Sequence, residues 1–394
     1  MQLLIACVGL IIVIGLSYFV SSNKSQIRWK SIGIMLVLQF ILGFFLLRTS
    51  VGTFLVASFA KLFDYLLEFA ASGVNFVFAG VANKGSAPFF LNVLMPIVFI
   101  SAIIGVLRYI KILPLFIKYV GLAISYINGM GKLESYNGVA SGILGQSEVF
   151  ISYKKELKFL TEKRLLTMSI SAMSTVSMSI VGSYMAMIEP RYVICALVLN
   201  LFGGFIIASL INPYELGEKE DQFNASEEDK NQTFFQMLGE YILDGFHVAI
   251  TVAAMLIGFV AAIAMINAIF KGITGFTFQE LLGYVFAPLA FLTGIPWHEA
   301  VDAGSLMATK LVTNEFVAMS ELSQGNWHFS EHTQAILSVF MVSFANFSSI
   351  GIISGAMKGL NEEKGNLVAK HGLKILFAAT LVSFLSAIIA GILV

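Results

Sequence analysis

The sequence has little charge, few cysteines and few arginines. Charged residues make up 12% of its 394 positions and the formal net charge is zero, so it lacks the basic cluster of a nucleic-acid-binding protein. Cys7 and Cys195 fall in apolar runs, where cysteine usually acts as a small packing residue. The histidines show no metal-ligand spacing and are expected near span ends or in loops; they are His247, His298, His328, His332 and His371. These absences argue against a nucleic-acid-binding protein, a redox protein and a metalloenzyme, and no cofactor is expected.

Long apolar runs are what the sequence has in abundance. Hydrophobic residues make up 57% of the chain and the mean hydropathy is +0.85, which is not the composition of a soluble globular protein. A helix needs about 20 apolar residues to cross a bilayer. The segments that meet this requirement are 2–20, 31–48, 89–109, 165–187, 191–211, 246–270, 333–357 and 371–393. The sequence therefore predicts an all-α integral membrane protein with eight transmembrane helices.

Lysine and arginine are unevenly placed between these spans, which predicts an orientation. Basic residues lie at 24–30, 108–118 and 154–164, and placing these segments in the cytoplasm leaves both termini outside. Three further segments are predicted as amphipathic helices along the membrane interface, with a buried helix as the alternative for each: 52–82, 112–128 and 277–294.

Two short polar strings, residues 145–148 and 313–316, interrupt the apolar sequence, and each contains a glutamate. Each is followed by a serine-rich string inside a predicted span, at 177–180 and at 346–349. A carboxylate at membrane depth is costly and usually has a function. Matching interruptions in two halves of one chain are the best sequence-level indication of a secondary transporter's binding site. The pattern predicts a protein that moves a small polar solute across a membrane.

The segments around the two glutamates are predicted to be helical hairpins, 133–160 and 299–323, that enter the membrane and return on the same side. Non-helical backbone at that depth must be enclosed in protein or line a cavity. Because an odd number of crossings separates them, the hairpins enter from opposite sides, which makes an inverted repeat. The predicted regions are an N-terminal scaffold and trimerisation region (1–128), a first repeat (133–211), a flexible acidic loop (212–233), a connecting span with an interfacial helix (234–298) and a second repeat (299–394).

If the two repeats pack about a two-fold axis, their polar strings meet and offer carboxylates, amides and hydroxyls together. This set suits a neutral solute with vicinal hydroxyls and an amide-bearing ring, because a carboxylate accepts from two hydroxyls while a glutamine both donates and accepts. The five arginines lie away from the strings, so a bidentate clamp for phosphate or carboxylate is missing. Lys310 is the basic exception and is expected to be a structural partner within the second hairpin.

Two other functions use the same residues. A channel or passive facilitator would be lined by the same polar groups, and an intramembrane enzyme would use Glu148 and Glu315 as an acid–base pair. The enzyme has less support, because no nucleophile with an adjacent base and no cofactor motif accompany the two acids.

The polar strings resemble those of the concentrative nucleoside transporters, specifically the bacterial branch. The matching strings are Gly145-Gln146-Ser147-Glu148, Ser174 to Gly182 (STVSMSIVG), Asn314-Glu315-Phe316 and Phe344 to Ile350 (FANFSSI). The resemblance covers essentially the whole chain. It implies a homotrimer in the bacterial cytoplasmic membrane with eight spans, two re-entrant hairpins, interfacial helices and one nucleoside site in each protomer.

The resemblance also implies which residues bind the nucleoside. They are Gln146, Ser147 and Glu148 for the base, Ile180 and Leu256 as apolar contacts to the base, and Glu315, Asn346 and Ser349 with Phe344 for the ribose. Pyrimidine nucleosides are the expected substrates, because Gln146 can pair with a pyrimidine edge and Ile180 leaves moderate room above the ring.

One position departs from the family pattern and bears on the coupling ion. Sodium-coupled members have an asparagine five residues before the glutamine of the first hairpin, and this chain has Ser141 there. Without that amide oxygen, proton coupling is expected, with sodium as the alternative. Burial disfavours the charged form of a carboxylate, so Glu148 and Glu315 are the candidate proton carriers. The other ion-coupling candidates implied by the resemblance are Leu144 with the 143–144 backbone, Thr175 and Ser177.

Overall fold

The computed structural model describes residues 2–78, 89–217, 232–325 and 327–394. Within these ranges the chain forms eighteen α-helices, with short 3₁₀ and π segments and no strand. By length and apolar composition, seven of the described helices can cross a membrane, or up to eight if a bent pair counts as one span. The predicted all-helical fold with several apolar helices is confirmed at this level.

Five helices form the N-terminal region: α1 (Gln2–Phe19), α2 (Trp29–Arg48), α3 (Ser50–Phe78), α4 (Pro96–Tyr109) and α5 (Ile112–Asn128). The segments predicted as interfacial helices at 52–82 and 112–128 are helical in α3 and α5, although 79–82 lie outside the described residues. At the end of α2, the Arg48 guanidinium donates to the carbonyls of Leu393 and Val394. This contact ties the N-terminal region to the C-terminal end of the chain.

The next five helices contain two breaks: α6 (Lys132–Leu144), α7 (Glu148–Ile151), α8 (Glu162–Ser174), α9 (Met178–Met185) and α10 (Pro190–Ile211). The turn between α6 and α7 lies at the position predicted for the first hairpin turn. The span predicted at 165–187 is interrupted at 175–177, because the Ser177 hydroxyl accepts from the backbone N–H of Ser179 and starts a new helix there.

A single long helix, α11 (Phe234–Thr274), connects the two halves of the chain. Thr233 and Gln236 form a capping box at its start, in which each side chain accepts from the backbone N–H of the other residue. The helix extends beyond the predicted span 246–270 at both ends. Glu240 and Asp244 lie in the first three turns of α11. These acidic residues lower the hydropathy there, so the hydropathy pattern does not reveal where the helix begins. Of the predicted acidic loop, residues 218–231 lie outside the described residues.

The second half contains seven helices: α12 (Phe278–Leu292), α13 (Trp297–Val312), α14 (Glu315–Gln324), α15 (Glu331–Met341), α16 (Phe347–Leu360), α17 (Glu362–Lys370) and α18 (Gly372–Leu393). The axes of α12 and α13 differ in direction by 115°. The stretch predicted as a span at 333–357 consists of α15 and α16 with a non-helical break at 342–346. No single helix runs through it.

The core lies around α10 and α18, which are mostly buried and pack against each other and against α8. Small residues allow this close packing: an added Cβ at Gly203 would lie 3.0 Å from the Val382 side chain. By contrast, α11 is largely exposed, and large apolar side chains also project outward from α1 and α3. These apolar outer faces suit contact with lipid or with another membrane-embedded surface.

Candidate functional site

The first residues of four helices, α7, α9, α14 and α16, surround one cavity of about 300 Å³. A helix N-terminus presents unpaired backbone N–H groups and the positive end of the helix dipole, so these ends can receive polar groups of a solute. The volume falls at the lower end of the range for small-molecule sites, about 300–1,000 Å³. The lining residues are Gly145, Gln146, Ser147, Glu148, Ser177, Ser179, Ile180, His247, Val248, Thr251, Val252, Met255, Asn314, Glu315, Phe316, Phe344, Asn346, Ser348, Ser349 and Ile352.

Gly145 shapes the tip of the first hairpin. It ends α6 with a φ of +106°, a conformation that residues with a side chain rarely adopt. An added Cβ would also lie 2.7 Å from Oε2 of Glu148 and 3.1 Å from the Cβ of Ser177. The turn brings Gln146, Ser147 and Glu148 to the cavity. Oε1 of Gln146 is buried and has no hydrogen-bond partner among the described residues, so it can accept from a solute.

The break between α8 and α9 is bonded to this hairpin tip. The Ser177 hydroxyl lies 3.2 Å from the carbonyl oxygen of Leu144, to which it donates, and 2.8 Å from the Ser179 hydroxyl. Ile180 follows on α9, where its buried side chain forms part of the apolar wall. The first hairpin and the first break therefore form one side of the cavity together.

Glu315 is the first residue of α14, and Asn314 caps this helix by accepting from the backbone N–H of Val317. The Glu315 side chain is buried, with 4% of its surface exposed. Its Oε1 accepts from the Tyr184 hydroxyl at 2.9 Å, and its Oε2 accepts from Nδ2 of Asn346 at 3.0 Å. These two donors and the start of the helix orient the carboxyl group. The carboxylate is thus held in one orientation with lone pairs left for a solute.

Asn346 occupies the break between α15 and α16 and has two roles. Its Oδ1 accepts from the Ser349 backbone N–H at 2.9 Å and from the Ser348 hydroxyl at 2.6 Å, which caps α16. Its Nδ2 holds Glu315, as described above. The Ser349 hydroxyl is buried without a hydrogen-bond partner among the described residues, and Phe344 lies beside this group on the cavity wall.

The connecting helix α11 supplies the remaining wall. His247, predicted near a span end, lies well inside α11 and lines the cavity together with Thr251 and Met255. Leu256 does not belong to the lining residues, although it follows Met255 directly. The capping box at Thr233 is the sequence signal that would have placed the start of α11 correctly.

The candidate ion ligands lie near the first hairpin, with most of their hydroxyls turned toward backbone carbonyls. The Ser141 hydroxyl donates to the carbonyl of Gly138 at 3.0 Å. The Thr175 hydroxyl donates to carbonyls one turn earlier in its own helix, at 3.3 Å. Only Ser177 approaches the carbonyl oxygens at 143 and 144. The hydroxyls of Ser141 and Thr175 thus have their hydrogen-bond acceptors within their own helices.

Lys310 has its partners outside the second hairpin, contrary to the prediction. Its ammonium donates to the carbonyl of Phe340 at 2.9 Å, to the hydroxyl of Ser343 at 2.6 Å and to the hydroxyl of Ser383 at 3.1 Å. Phe340 and Ser343 lie at the end of α15, and Ser383 lies in α18. Tyr184 was also not identified from the sequence as a site residue, because it is 131 positions from Glu315, to which its hydroxyl donates.

The arrangement suits reversible binding of a neutral polar solute. It combines two carboxylates, three amides and several hydroxyls with apolar walls at Ile180, Met255 and Phe344. Among the described residues no group of three or more His, Cys, Asp or Glu side chains could hold a metal ion.

Three family models match the chain. The model described as Na+ dependent nucleoside transporter C-terminus covers residues 192–391, and the corresponding N-terminus model covers 8–81. A Gate model described as nucleoside recognition covers 90–191. Together these matches span most of the chain.

Relatives and solved structures match over the full length. The purine nucleoside transport protein NupG of Bacillus subtilis is 36% identical, with 100% of both chains covered. The nucleoside permease NupC of Helicobacter pylori is 29% identical, with 99% of this chain and 98% of the permease covered. An inward-facing substrate-bound structure of CNTnw matches with a TM-score of 0.94 at 30% identity, covering 100% of this chain and 98% of that one. A doubly substituted CNTnw variant in an outward-facing state gives the same values.

Proposed function

The chain belongs to the Na+ dependent (concentrative) nucleoside transporter family, and we propose that it imports nucleosides by symport with protons. It is a multi-pass membrane protein of the bacterial cell membrane and not an enzyme, as its relatives are nucleoside transporters and permeases. The proposal extends this family assignment to the direction of transport, the coupling ion and the binding residues of this chain.

The observation that supports nucleoside binding best is the fixed carboxylate of Glu315. With one lone pair of each oxygen used by Tyr184 and Asn346, the carboxylate still accepts from two vicinal hydroxyls of a ribose. Ser349 adds a buried hydroxyl without a partner among the described residues. Acceptors that are buried and unmatched discriminate strongly in favour of a solute that supplies the missing donors.

The base is assigned to the opposite side of the cavity, at the first hairpin. Gln146 presents a buried carbonyl oxygen that no described residue satisfies, and a glutamine amide both accepts from and donates to a base edge. Ile180 and Met255 form apolar surfaces for the ring. In this assignment Ser147 and Glu148 complete the base side.

Pyrimidine nucleosides remain our first choice of substrate, and purine nucleosides are the second candidate. The pyrimidine preference depends on the Gln146 edge and on the room that Ile180 leaves. The name of the 36% identical relative from Bacillus subtilis, a purine nucleoside transport protein, favours the purine alternative.

Protons are proposed as the coupling ion because of Ser141. Ser141 stands where the sodium-coupled members have an asparagine, so the amide oxygen that helps to coordinate sodium in those members is missing here. Glu148 and Glu315 lie at the cavity and are the candidate proton carriers. Sodium is the alternative, and the description of the matched family models favours it.

For the assembly, we propose a homotrimer in which each protomer has eight spans and two re-entrant hairpins arranged as an inverted repeat. The similar order of breaks supports the repeat: a hairpin turn at 145–147 precedes the break at 175–177, and a turn at 313–314 precedes the break at 342–346. The domain boundaries predicted from the sequence follow this repeat.

Uptake into proteoliposomes tests the proposal. Labelled uridine should accumulate above its outside concentration when a proton gradient is imposed, and an uncoupler should abolish the accumulation. Equilibration without accumulation would instead indicate a passive facilitator, and no specific uptake of either uridine or a purine nucleoside would refute nucleoside transport.

A further inference from the structure

Lys310 is a buried cation for which the proposed transport cycle has so far no role. It lies on α13 with 1% of its surface exposed, and its ammonium contacts three neutral oxygen atoms rather than a carboxylate. An ammonium has three N–H donors, so the three contacts satisfy it completely. The Phe340 ring lies 4.6 Å from the same nitrogen atom, which adds a cation–π contact.

These partners lie at the break between α15 and α16. The Phe340 carbonyl belongs to the last turn of α15, where carbonyl groups lack helical partners and the helix dipole is negative. Ser343 lies within the break, and its hydroxyl is also 2.8 Å from the hydroxyl of Ser383 on α18. A positive charge is therefore enclosed at a helix C-terminus that would otherwise present uncompensated oxygens.

The break held by Lys310 leads directly to the proposed ribose contacts. Three residues after Ser343 comes Asn346, which caps α16 and donates to Glu315. On the other side, Lys310 and Glu315 belong to the two arms of one hairpin. Lys310 thus connects the second hairpin to the 342–346 break. This break contains Asn346, which donates to Glu315.

The first half of the chain has no corresponding side-chain cation. Counting back from the last residue of the first hairpin arm, Leu144, the position that matches Lys310 is Gly142. At the first break, Ser177 instead bonds the carbonyl of Leu144 at 3.2 Å. The two breaks are therefore held by different means, a hydroxyl in the first half and an ammonium in the second.

We propose that Lys310 is a positioning residue that acts as a tethered cation: it holds the 342–346 break in the geometry in which Asn346 and Ser349 bind the ribose. This inference rests on the proposed nucleoside transport. It assigns to the second break a covalently attached amino group as the hydrogen-bond donor, so that this half of the site needs no ion from solution to adopt its binding geometry.

Kinetics with two ligands test the role. In Lys310→Met, which keeps the length of the side chain without its charge, we expect the KM of uridine to rise about tenfold or more, since buried acceptors lose their donor. The inhibition constant of 2′,3′-dideoxyuridine, which lacks both ribose hydroxyls, should change much less. The KM of uridine for Lys310→Arg should lie between the values for Lys310→Met and the wild type. Lys364→Met is the matched control, because that lysine donates to the Leu160 carbonyl away from the cavity.

A milder variant keeps the test decisive if Lys310→Met does not fold. Ser383→Ala removes one of the three acceptors from outside the cavity, and it should raise the KM of uridine in the same selective way. If a variant had a lower maximal rate per amount of folded protein but an unchanged KM for uridine, the role of Lys310 would be purely structural. That result would overturn the inference. Unchanged kinetics in both variants would overturn it as well. Failure of the proposed function itself would be seen separately, as absence of uridine uptake by the wild type.

Discussion

Replacing Glu315 by glutamine should nearly abolish uridine uptake, because the change alters hydrogen-bond capacity but hardly changes size. The wild-type carboxylate accepts from Tyr184 at 2.9 Å and from Asn346 at 3.0 Å, and its remaining lone pairs are assigned to two ribose hydroxyls. In Glu315→Gln the amide oxygen must stay toward the Asn346 donor, and the new NH₂ group faces the Tyr184 hydroxyl, which can accept. One ribose hydroxyl then has no acceptor.

The expected magnitude follows from that single unmatched group. Leaving one buried polar group unpaired costs about 1–3 kcal/mol, which weakens binding by about 5- to 150-fold. If Glu315 also carries the coupled proton, the glutamine variant loses accumulation in addition to affinity. The variant and the wild type should be compared at saturating and at low uridine, so that affinity and maximal rate are separated.

The assay compares uridine with 2′,3′-dideoxyuridine in proteoliposomes. The wild type should prefer uridine strongly, and Glu315→Gln should lose most of this preference. Glu321→Gln is the control, because Glu321 lies on the same helix but bonds Gln279 outside the cavity. If Glu315→Gln kept the wild-type ratio between the two nucleosides, the assignment of Glu315 to the ribose would be wrong.

Three further outcomes are expected. Cytidine should compete with labelled uridine more strongly than inosine or guanosine does, and dominant inhibition by guanosine would contradict the pyrimidine preference. Gly145→Ala should lose transport, because strain at this φ costs about 1–3 kcal/mol and the methyl group meets Glu148, whereas Gly142→Ala has open space and should transport normally. Equal activity of these two alanine variants would refute the turn argument. Tyr184→Phe should raise the KM of uridine by about fivefold, the value of one hydrogen bond, and an unchanged KM would show that Tyr184 does not orient Glu315.

The sequence predicted the polar elements of the site better than their partners. Residues 145–148 and 313–316 were found because a carboxylate in an apolar segment is conspicuous, and both strings line the cavity. Tyr184 gave no such signal, because a tyrosine in an apolar helix is ordinary and its bond to Glu315 depends on tertiary packing.

The errors at α11 and Lys310 have physical causes of a different kind. A hydropathy window responds to the bilayer-length core of a helix and ignores polar first turns, so the start of α11 at Phe234 and the place of His247 were missed. Lys310 was expected to bond locally because it is near Glu315 in sequence. The turn at 313–314 separates the two arms, and a side chain's direction depends on its helical phase, so the lysine reaches α15 and α18 instead.

The central claim, proton-coupled nucleoside import, is tested most directly by measuring proton movement driven by the nucleoside. Proteoliposomes that enclose a pH-sensitive dye should acidify inside when uridine is added in sodium-free choline buffer, and the initial rate should rise as the external pH falls from about 7.5 to about 5.5, because more of the carrier carboxyl is protonated. The response should be absent without uridine and in Glu315→Gln. If uridine entered only when sodium was present and moved no protons at any pH, the proton account would be contradicted and Ser141 would have to be considered a sodium ligand.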